Sequence, residues 1–372
     1  MSKNPSFDWR KLPDLDDLPE VEGMPKGCAW GIFGEKDQLG TLNLLTPENT
    51  AKVAKQEIQT GERVQIDWAL DAVRFPMIGR KEFVHKMIDL EKTLGVVATD
   101  DEISLNTQTS TQWDGFRHVA HQGLRVYYNG LTHDQLHQPG GRSEGDSGQG
   151  TEVGRRGGRN GIHHWVESGG IVGRGILLDW LGWYEKTFPD RTPPSPVSDH
   201  SIPLSELLEC AKYQRTEIRA GDILLIRSGV IKWYAEADDE SRRKAFSPES
   251  LHHDCGAGGR DQPPQVVEEG GEGSCKFIGV EQTEEMKRWL WNSHFSAVAG
   301  DAPGFEVIPY KNDLWLHEWL LPMWGCPIGE LFDLEELAET CKRHGRWSFF
   351  FTSAPSRVTG GVASSCNAIA IF

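Results

Sequence analysis

Thr107-Gln108-Thr109-Ser110-Thr111-Gln112-Trp113-Asp114-Gly115-Phe116-Arg117-His118-Val119-Ala120-His121-Gln122-Gly123 carries an acid, two imidazoles and three carboxamides in one short run. The apolar residues among them form no long amphipathic pattern, so the density of ligand-type side chains points to a site rather than a core. Asp114 and His118 stand four apart, which brings both to one face if the turn after Asp114 opens into a helix. The pair alone is not specific, because an Asp capping a helix with a His packed behind it gives the same spacing. Gln108 and Gln112 are also four apart. Carboxamide oxygens are poor zinc ligands but acceptable to harder cations such as Mn²⁺, and they serve equally well to bond a local turn. Ile103 to Thr111 alternates loosely, placing the stretch at a strand end that runs into a turn.

Outward from this run, strands and helices interleave. Thr46 with Pro47 behind it starts a helix to about Gln56, and Arg63–Trp68 alternates as a strand. Gly175–Trp180 and Asp222–Arg227 are short apolar runs of the central-strand kind, with a helix over Ser201–Lys212 between them. Thr283–Asn292 reads as a helix and Ser296–Ala299 as a short buried strand. Asp333 caps a helix to Arg343 with a basic C-terminal end, and Ser348–Thr352 and Asn367–Phe372 close the chain as strands. This alternation is α/β or α+β. With no internal repeat and no interdomain linker, residues 27–372 read as one domain. Residues 1–26, rich in Pro and Asp, form a surface extension. Two polar insertions interrupt the domain, near 139–161, with eight Gly between Gly140 and Gly158, and near 237–275. The first matches neither G-x-x-x-x-G-K-[ST] nor G-x-G-x-x-G, so it reads as a loop or lid rather than a phosphate cradle.

Composition excludes whole classes of function. The 372 residues suffice for a full core. A net charge of -16 repels nucleic acid and anionic membrane. No uncharged apolar run approaches the ~18 residues of a membrane span. The polar N-terminus shows no secretory h-region, and seven scattered Cys without a C-x-x-C pair suit a reducing compartment. The expectation is a cytoplasmic protein acting on a small molecule. Most of the 14 Trp are assigned to the core.

A catalytic divalent metal needs about three protein ligands and one open position. His317, in the Trp/Leu-rich run Leu314–Trp324, reads on its own as a hydrogen-bonded core histidine. Glu330, after Gly325-Cys326-Pro327-Ile328-Gly329, is a carboxylate among apolar residues that needs a partner if buried. A metal satisfies both. His252-His253-Asp254-Cys255 has ligand-type residues but lies in the second insertion, and His163-His164 sits beside the Gly-rich loop, better placed to meet a substrate. No G-x-S-x-G elbow supports a serine hydrolase.

The residues Thr111-Gln112-Trp113-Asp114-Gly115-Phe116-Arg117-His118 resemble the signature of the cyclase-like metal hydrolases, the family of bacterial kynurenine formamidase and isatin hydrolase, whose motif is H-x-G-T-H-x-D-x-P-x-H. Asp114 and His118 match its Asp and last His, and Thr111 its Thr. Gln108 and Gln112 stand where its first two His stand, and Phe116 where its Pro does. A long-chain branch reading T-Q-W-D-A-x-x-H is similar to this sequence. Further similarity runs through Trp30-Gly31, Leu39–Pro47, Gly170–Gly175, Gly221–Arg227 and Val358–Val362.

The resemblance implies the swivelling β/β/α fold, a metal-activated water, and hydrolysis of a small cyclic or formylated amide. It implies Asp114, His317 and Glu330 as ligands of Zn²⁺ or Mn²⁺ with Gln112 and Gln108 assisting, and a homo-oligomer, dimer or tetramer. The two Gln put the family's first metal position in doubt. On this reading His118 is general base and then acid, while Trp113, Phe116 and His121 face the substrate. A lyase or dehydrating cyclase using the same metal, and a binding protein that kept the fold without catalysis, are the alternatives.

Overall fold

The computed structural model describes residues 12–137, 158–246, 275–311 and 314–372. Most of the Gly-rich insertion, the greater part of the second one and His252-His253 lie outside them.

Eleven strands concern the site: β1 Arg63–Gln65, β2 Val84–Asp89, β3 Thr99–Ser104, β4 Gln112–Asp114, β5 Ile171–Asp179, β6 Ile223–Arg227, β7 Ala297–Gly300, β8 Ile328–Glu330, β9 Ser348–Ser353, β10 Ala363–Ser365 and β11 Ala368–Ile371. Nine of them form one mixed sheet in the order β1-β11-β9-β5-β6-β7-β8-β4-β10. The inner strands β5 to β8 run parallel to one another, and β4 joins β8 antiparallel. Parallel strands are covered on both faces, so they read as continuous apolar runs, and β6 and β7 are buried at every residue. The observed order and the flanking helices make this an α/β fold.

Local chemistry explains the element boundaries. Helix α1, Pro47–Glu57, begins where Thr46 Oγ1 accepts from Asn49 N at 3.1 Å. Helices α2 (Trp180–Thr187) and α3 (Leu204–Gln214) pack on one another, and both α1 and α3 pack against β5. Helix α4, Glu284–Asn292, is capped by Thr283. Helix α5, Glu335–His344, starts one residue later than a cap at Asp333 implies. Asp333 still accepts from Glu335 N at 3.3 Å, but the residue preceding the helix is Leu334. Inside the sheet two arginines tie strands to helices: Arg174 bridges Glu57 and Asp222, and Arg227 bridges Asp179 and Glu335. Such pairs satisfy buried charge rather than add much net stability. Leu12, Leu15 and Leu18 of the N-terminal extension are buried in the main core. Among the described residues no helix is long and apolar enough to cross a membrane.

Two departures from the sequence reading bear on the site. The alternation over Ile103–Thr111 does not form one strand. β3 ends at Ser104, and Asn106 then turns the chain, its side chain accepting from Gln108 N at 2.9 Å and its carbonyl from Thr109 N at 3.1 Å. β3 pairs instead with β2 in a hairpin exposed along nearly its whole length, with Met87 71% and Val97 87% exposed. At its base Arg80 Nη1 donates to the Gln108 carbonyl at 3.0 Å. Nor does a helix follow Asp114; Asp114 lies on β4 and His118 closes a turn, its N–H on the Gly115 carbonyl at 2.9 Å.

Gly40 and Gly325 bring the segment before α1 against the segment leading into β8. Thr41 N donates to the Gly325 carbonyl at 2.9 Å, and a Cβ on Gly40 would stand 1.8 Å from that oxygen.

Candidate metal centre

The centre is built where β4 and β8 pair. Their register sets Glu330 opposite Gln112 and Ile328 opposite Asp114. Alternation on a strand sends Gln112 and Asp114 to one face and Trp113 to the other, so the first two meet Glu330 while Trp113 goes into the core. His317 arrives from a short helical turn, Leu316–Glu318, that runs directly into a π-helical turn at Trp319–Trp324. One ligand-type atom from each of Asp114, His317 and Glu330 falls within 4.8 Å of the others, and all three residues are buried. Side chains about 200 positions apart in sequence are thereby collected around one point.

The hydrogen bonds define what each group offers. Gln112 Nε2 donates to Glu330 Oε2 at 2.8 Å. Gln108 Nε2 donates to Asp114 Oδ1 at 2.7 Å and lies 3.0 Å from His118 Nδ1. A carboxylate only accepts, so both amides must present NH₂ to it. Gln108 therefore faces the centre with a donor, which does not ligate a cation; it bridges Asp114 to His118. Gln112 faces it differently, because its Oε1 is left buried with no hydrogen-bond partner. Asp114 Oδ2 is in the same position. An unpaired buried acceptor costs roughly 1–3 kcal/mol, and two of them, on the same strand face as a group of two buried carboxylates and an imidazole, fit a cation.

Electrostatics supports that fit. Burial pushes the Glu330 carboxyl up, and the Asp114 charge pushes the same way while His317 opposes. Burial works against a charged His317, yet the hydrogen bonds and charges of Glu306 and Glu330 prevail and bring it up to about 10. One imidazole thus stands between the Glu306 and Glu330 carboxylates in a space where a divalent ion supplies charge of the right sign. Burial draws the His118 imidazole below its ordinary value, against the Asp114 charge and with help from His317 and Arg80, so it is neutral near pH 7. Its Nε2 lies 3.7 Å from Asp114 Oδ2, and 23% of its side chain is exposed.

Two of the three residues expected at the substrate are core residues. Trp113 is 0% exposed, edge-on to Phe332 with centroids 5.2 Å apart, and donates to Ser353 Oγ at 3.0 Å. Phe116 is equally buried, between Tyr128 and Trp165. Neither offers an exposed ring face, because both lie beneath the site. His121 is half-buried, pairs with Val126 and accepts from Leu124 N at 3.4 Å. The side chain nearest a ring-stacking role is Trp315, parallel to the His317 imidazole with centroids 5.7 Å apart and itself against Tyr310. Sequence reasoning passed over it within a Trp-rich run.

His163, His164 and Glu167 also bring ligand-type atoms within 4.8 Å. Here the nitrogens are engaged. His163 Nδ1 accepts from Gly360 N at 3.2 Å, which leaves the proton on Nε2; His164 Nε2 lies 2.8 Å from the Gly158 carbonyl; and Glu167 pairs with Arg357. This cluster ties the edge of the first insertion to the loop before β10.

The chain matches the family model named Cyclase over residues 43–307, a span that takes in Gln108 to His118 and stops before His317. Among solved structures it is similar to a novel cyclase at 24% identity, with 93% of this chain and 99% of that one covered and a TM-score of 0.70. It is also similar to isatin hydrolase A from Ralstonia solanacearum at 13% identity, with 88% and 97% covered and a TM-score of 0.53. No curated protein matches. These likenesses agree with the fold described above, and the family match covers most of the chain: it belongs to the Cyclase family.

Proposed function

We propose that this protein is a metal-dependent hydrolase acting on a C–N amide, cyclic or formylated, or on a lactone, of a small aromatic substrate. The observation that carries the reading is the buried meeting of Asp114, His317 and Glu330 with the unpartnered oxygens of Asp114 and Gln112. An isatin hydrolase shares the fold. Two carboxylates, one imidazole and a carboxamide oxygen favour an oxygen-preferring ion, Mn²⁺ over Zn²⁺. Such an ion would polarise the scissile carbonyl and bring the pKa of water towards neutrality.

The chain's own residues then divide the remaining work. Gln108, donating to His118 Nδ1, selects the neutral tautomer with the proton on Nε2. In this tautomer His118 offers Nε2–H as a hydrogen-bond donor to the leaving nitrogen or oxygen, and service as base and then acid requires Gln108 to release Nδ1 so that it can take up a proton. Tyr310 and Trp315 line the side on which a flat ring would lie. His118→Gln should leave metal content unchanged and lower kcat by about 10²–10⁴-fold; loss of metal together with activity would instead make His118 a ligand. Product analysis in heavy-oxygen water tests the reaction class. Hydrolysis incorporates one labelled oxygen into the product acid, whereas elimination or dehydration incorporates none.

A further inference from the structure

Glu306 is a carboxylate with 0% exposure and no aqueous outlet, standing between Phe305 and Val307. Both carboxylate oxygens are engaged by the start of the His317 turn. Oε1 accepts from His317 Nδ1 at 2.6 Å and from His317 N at 3.0 Å, and Oε2 accepts from Leu316 N at 2.5 Å. Its backbone is pinned as well. It bridges to Val280, Val307 N donates to the Val280 carbonyl, and a Cβ on Gly279 would lie 2.3 Å from the Glu306 carbonyl carbon. The carboxylate is thus aimed by a rigid contact and not by a flexible loop.

We propose that Glu306 is a positioning residue that fixes the tautomer of His317 for metal binding. This rests on the reading of the centre as a metal site. Because a carboxylate only accepts, His317 Nδ1 must be the donor, and the ring then turns Nε2, 3.3 Å from Glu330 Oε1, towards Asp114 and Glu330. With Nδ1–H held by Glu306, Nε2 is the nitrogen that gives up its proton and offers its lone pair when a cation is bound between Asp114 and Glu330. The two backbone bonds hold the turn at the same orientation, so ring rotation and proton placement are set by one group. A carboxylate in this place also raises the basicity of the ligand it holds, and losing such a partner typically costs 10–100-fold in metal affinity.

Glu306→Gln tests this with little change of shape. One carboxamide oxygen cannot serve three donors, so its NH₂ must face either Leu316 N–H or the His317 side of the contact. The second arrangement places a donor on Nδ1 and moves the ring proton to Nε2. Mn²⁺ titration of the metal-stripped protein should show affinity weakened about 10–100-fold. The ¹⁵N spectrum of histidine-labelled, metal-free protein, taken at alkaline pH where the ring is neutral and with His317 assigned by its absence in His317→Gln, should show the proton transferred from Nδ1 to Nε2. Glu306→Asp, which keeps the charge, should recover part of the affinity and the original tautomer, and it serves as the measurement if Glu306→Gln does not fold. A lowered melting temperature with unchanged Mn²⁺ affinity and an unchanged tautomer would overturn the proposal and reduce Glu306 to a helix-start acceptor. If the wild-type protein binds no divalent ion, the metal reading fails by that result alone, while the nitrogen spectrum still decides what Glu306 does to the ring.

Discussion

Asp114→Asn should lose bound metal and at least 10³-fold of turnover while the fold survives. Asp114 lies on β4 opposite Ile328, with Oδ1 taken by Gln108 and Oδ2 unpartnered. The substitution keeps the side-chain shape and removes one of two neighbouring buried carboxylates, so the cation loses a charged ligand. Losing the polarisation and water activation that a catalytic ion supplies, several kcal/mol at the transition state, corresponds to such a rate loss. The variant should be no less stable than the metal-free wild type, because the Asp114 charge is one of the two causes that push Glu330 up. Without it Glu330 ionises more readily in the folded protein, which eases the repulsion folding must overcome at neutral pH. Urea denaturation with and without added Mn²⁺ separates the effects: wild type gains stability on metal addition and Asp114→Asn does not. A variant that retains a full equivalent of metal would remove Asp114 from the ligand set.

Gly40→Ala should be among the most damaging single-methyl changes available in this chain. Its backbone has φ of 53°, in the left-handed region, and a Cβ there would meet the Gly325 carbonyl oxygen at 1.8 Å and its carbon at 2.6 Å. Those are backbone atoms and cannot swing aside. Accommodating the methyl requires breaking the Thr41 N–H bond to that carbonyl and parting the two segments it joins. Backbone strain plus overpacking of this kind is expected to cost more than about 3 kcal/mol. Gly31→Ala is the control, with φ of 82° and nothing within 4 Å of its would-be Cβ; about 1 kcal/mol from the backbone alone is expected there. Urea midpoints for the pair measure the difference. Similar midpoints would mean that the Gly40–Gly325 contact yields more easily than its geometry allows.

The parts of the fold that were legible in sequence are those set by local chemistry. Thr46-Pro47 caps the helix it was expected to cap, and the uninterrupted apolar runs at Ile176–Leu178 and Ile223–Ile226 lie in parallel inner strands. Glu330 was legible for a different reason, since a carboxylate among apolar neighbours implies a partner, while its grouping with Asp114 and His317 came from the family resemblance. Glu306 in Phe305-Glu306-Val307 carried the same signal and was overlooked, since spacing alone does not show that it reaches His317. Trp113 and Phe116 were misplaced because closeness in sequence to Asp114 is not closeness in space. On a strand the adjacent residue faces the other way. Gln108 was misread because a carboxamide has two ends, and only its carboxylate neighbour decides which one faces the centre. Loose alternation over Ile103–Thr111 concealed an Asx turn at Asn106, which a propensity reading of the whole window averages away.

The order of strands in the sheet has a consequence for how the protein is made. β4 emerges early in synthesis, yet both of its neighbours, β8 and β10, come from the last 45 residues of the chain. Gln112 and Glu330, bonded across that pairing, are 218 residues apart. Pairing over such a separation is entropically late, so a growing chain carries Asp114 long before anything can share a cation with it. A half-made chain lacks the His317 and Glu330 that would share an ion with Asp114, so the centre can assemble only once β8 has reached β4.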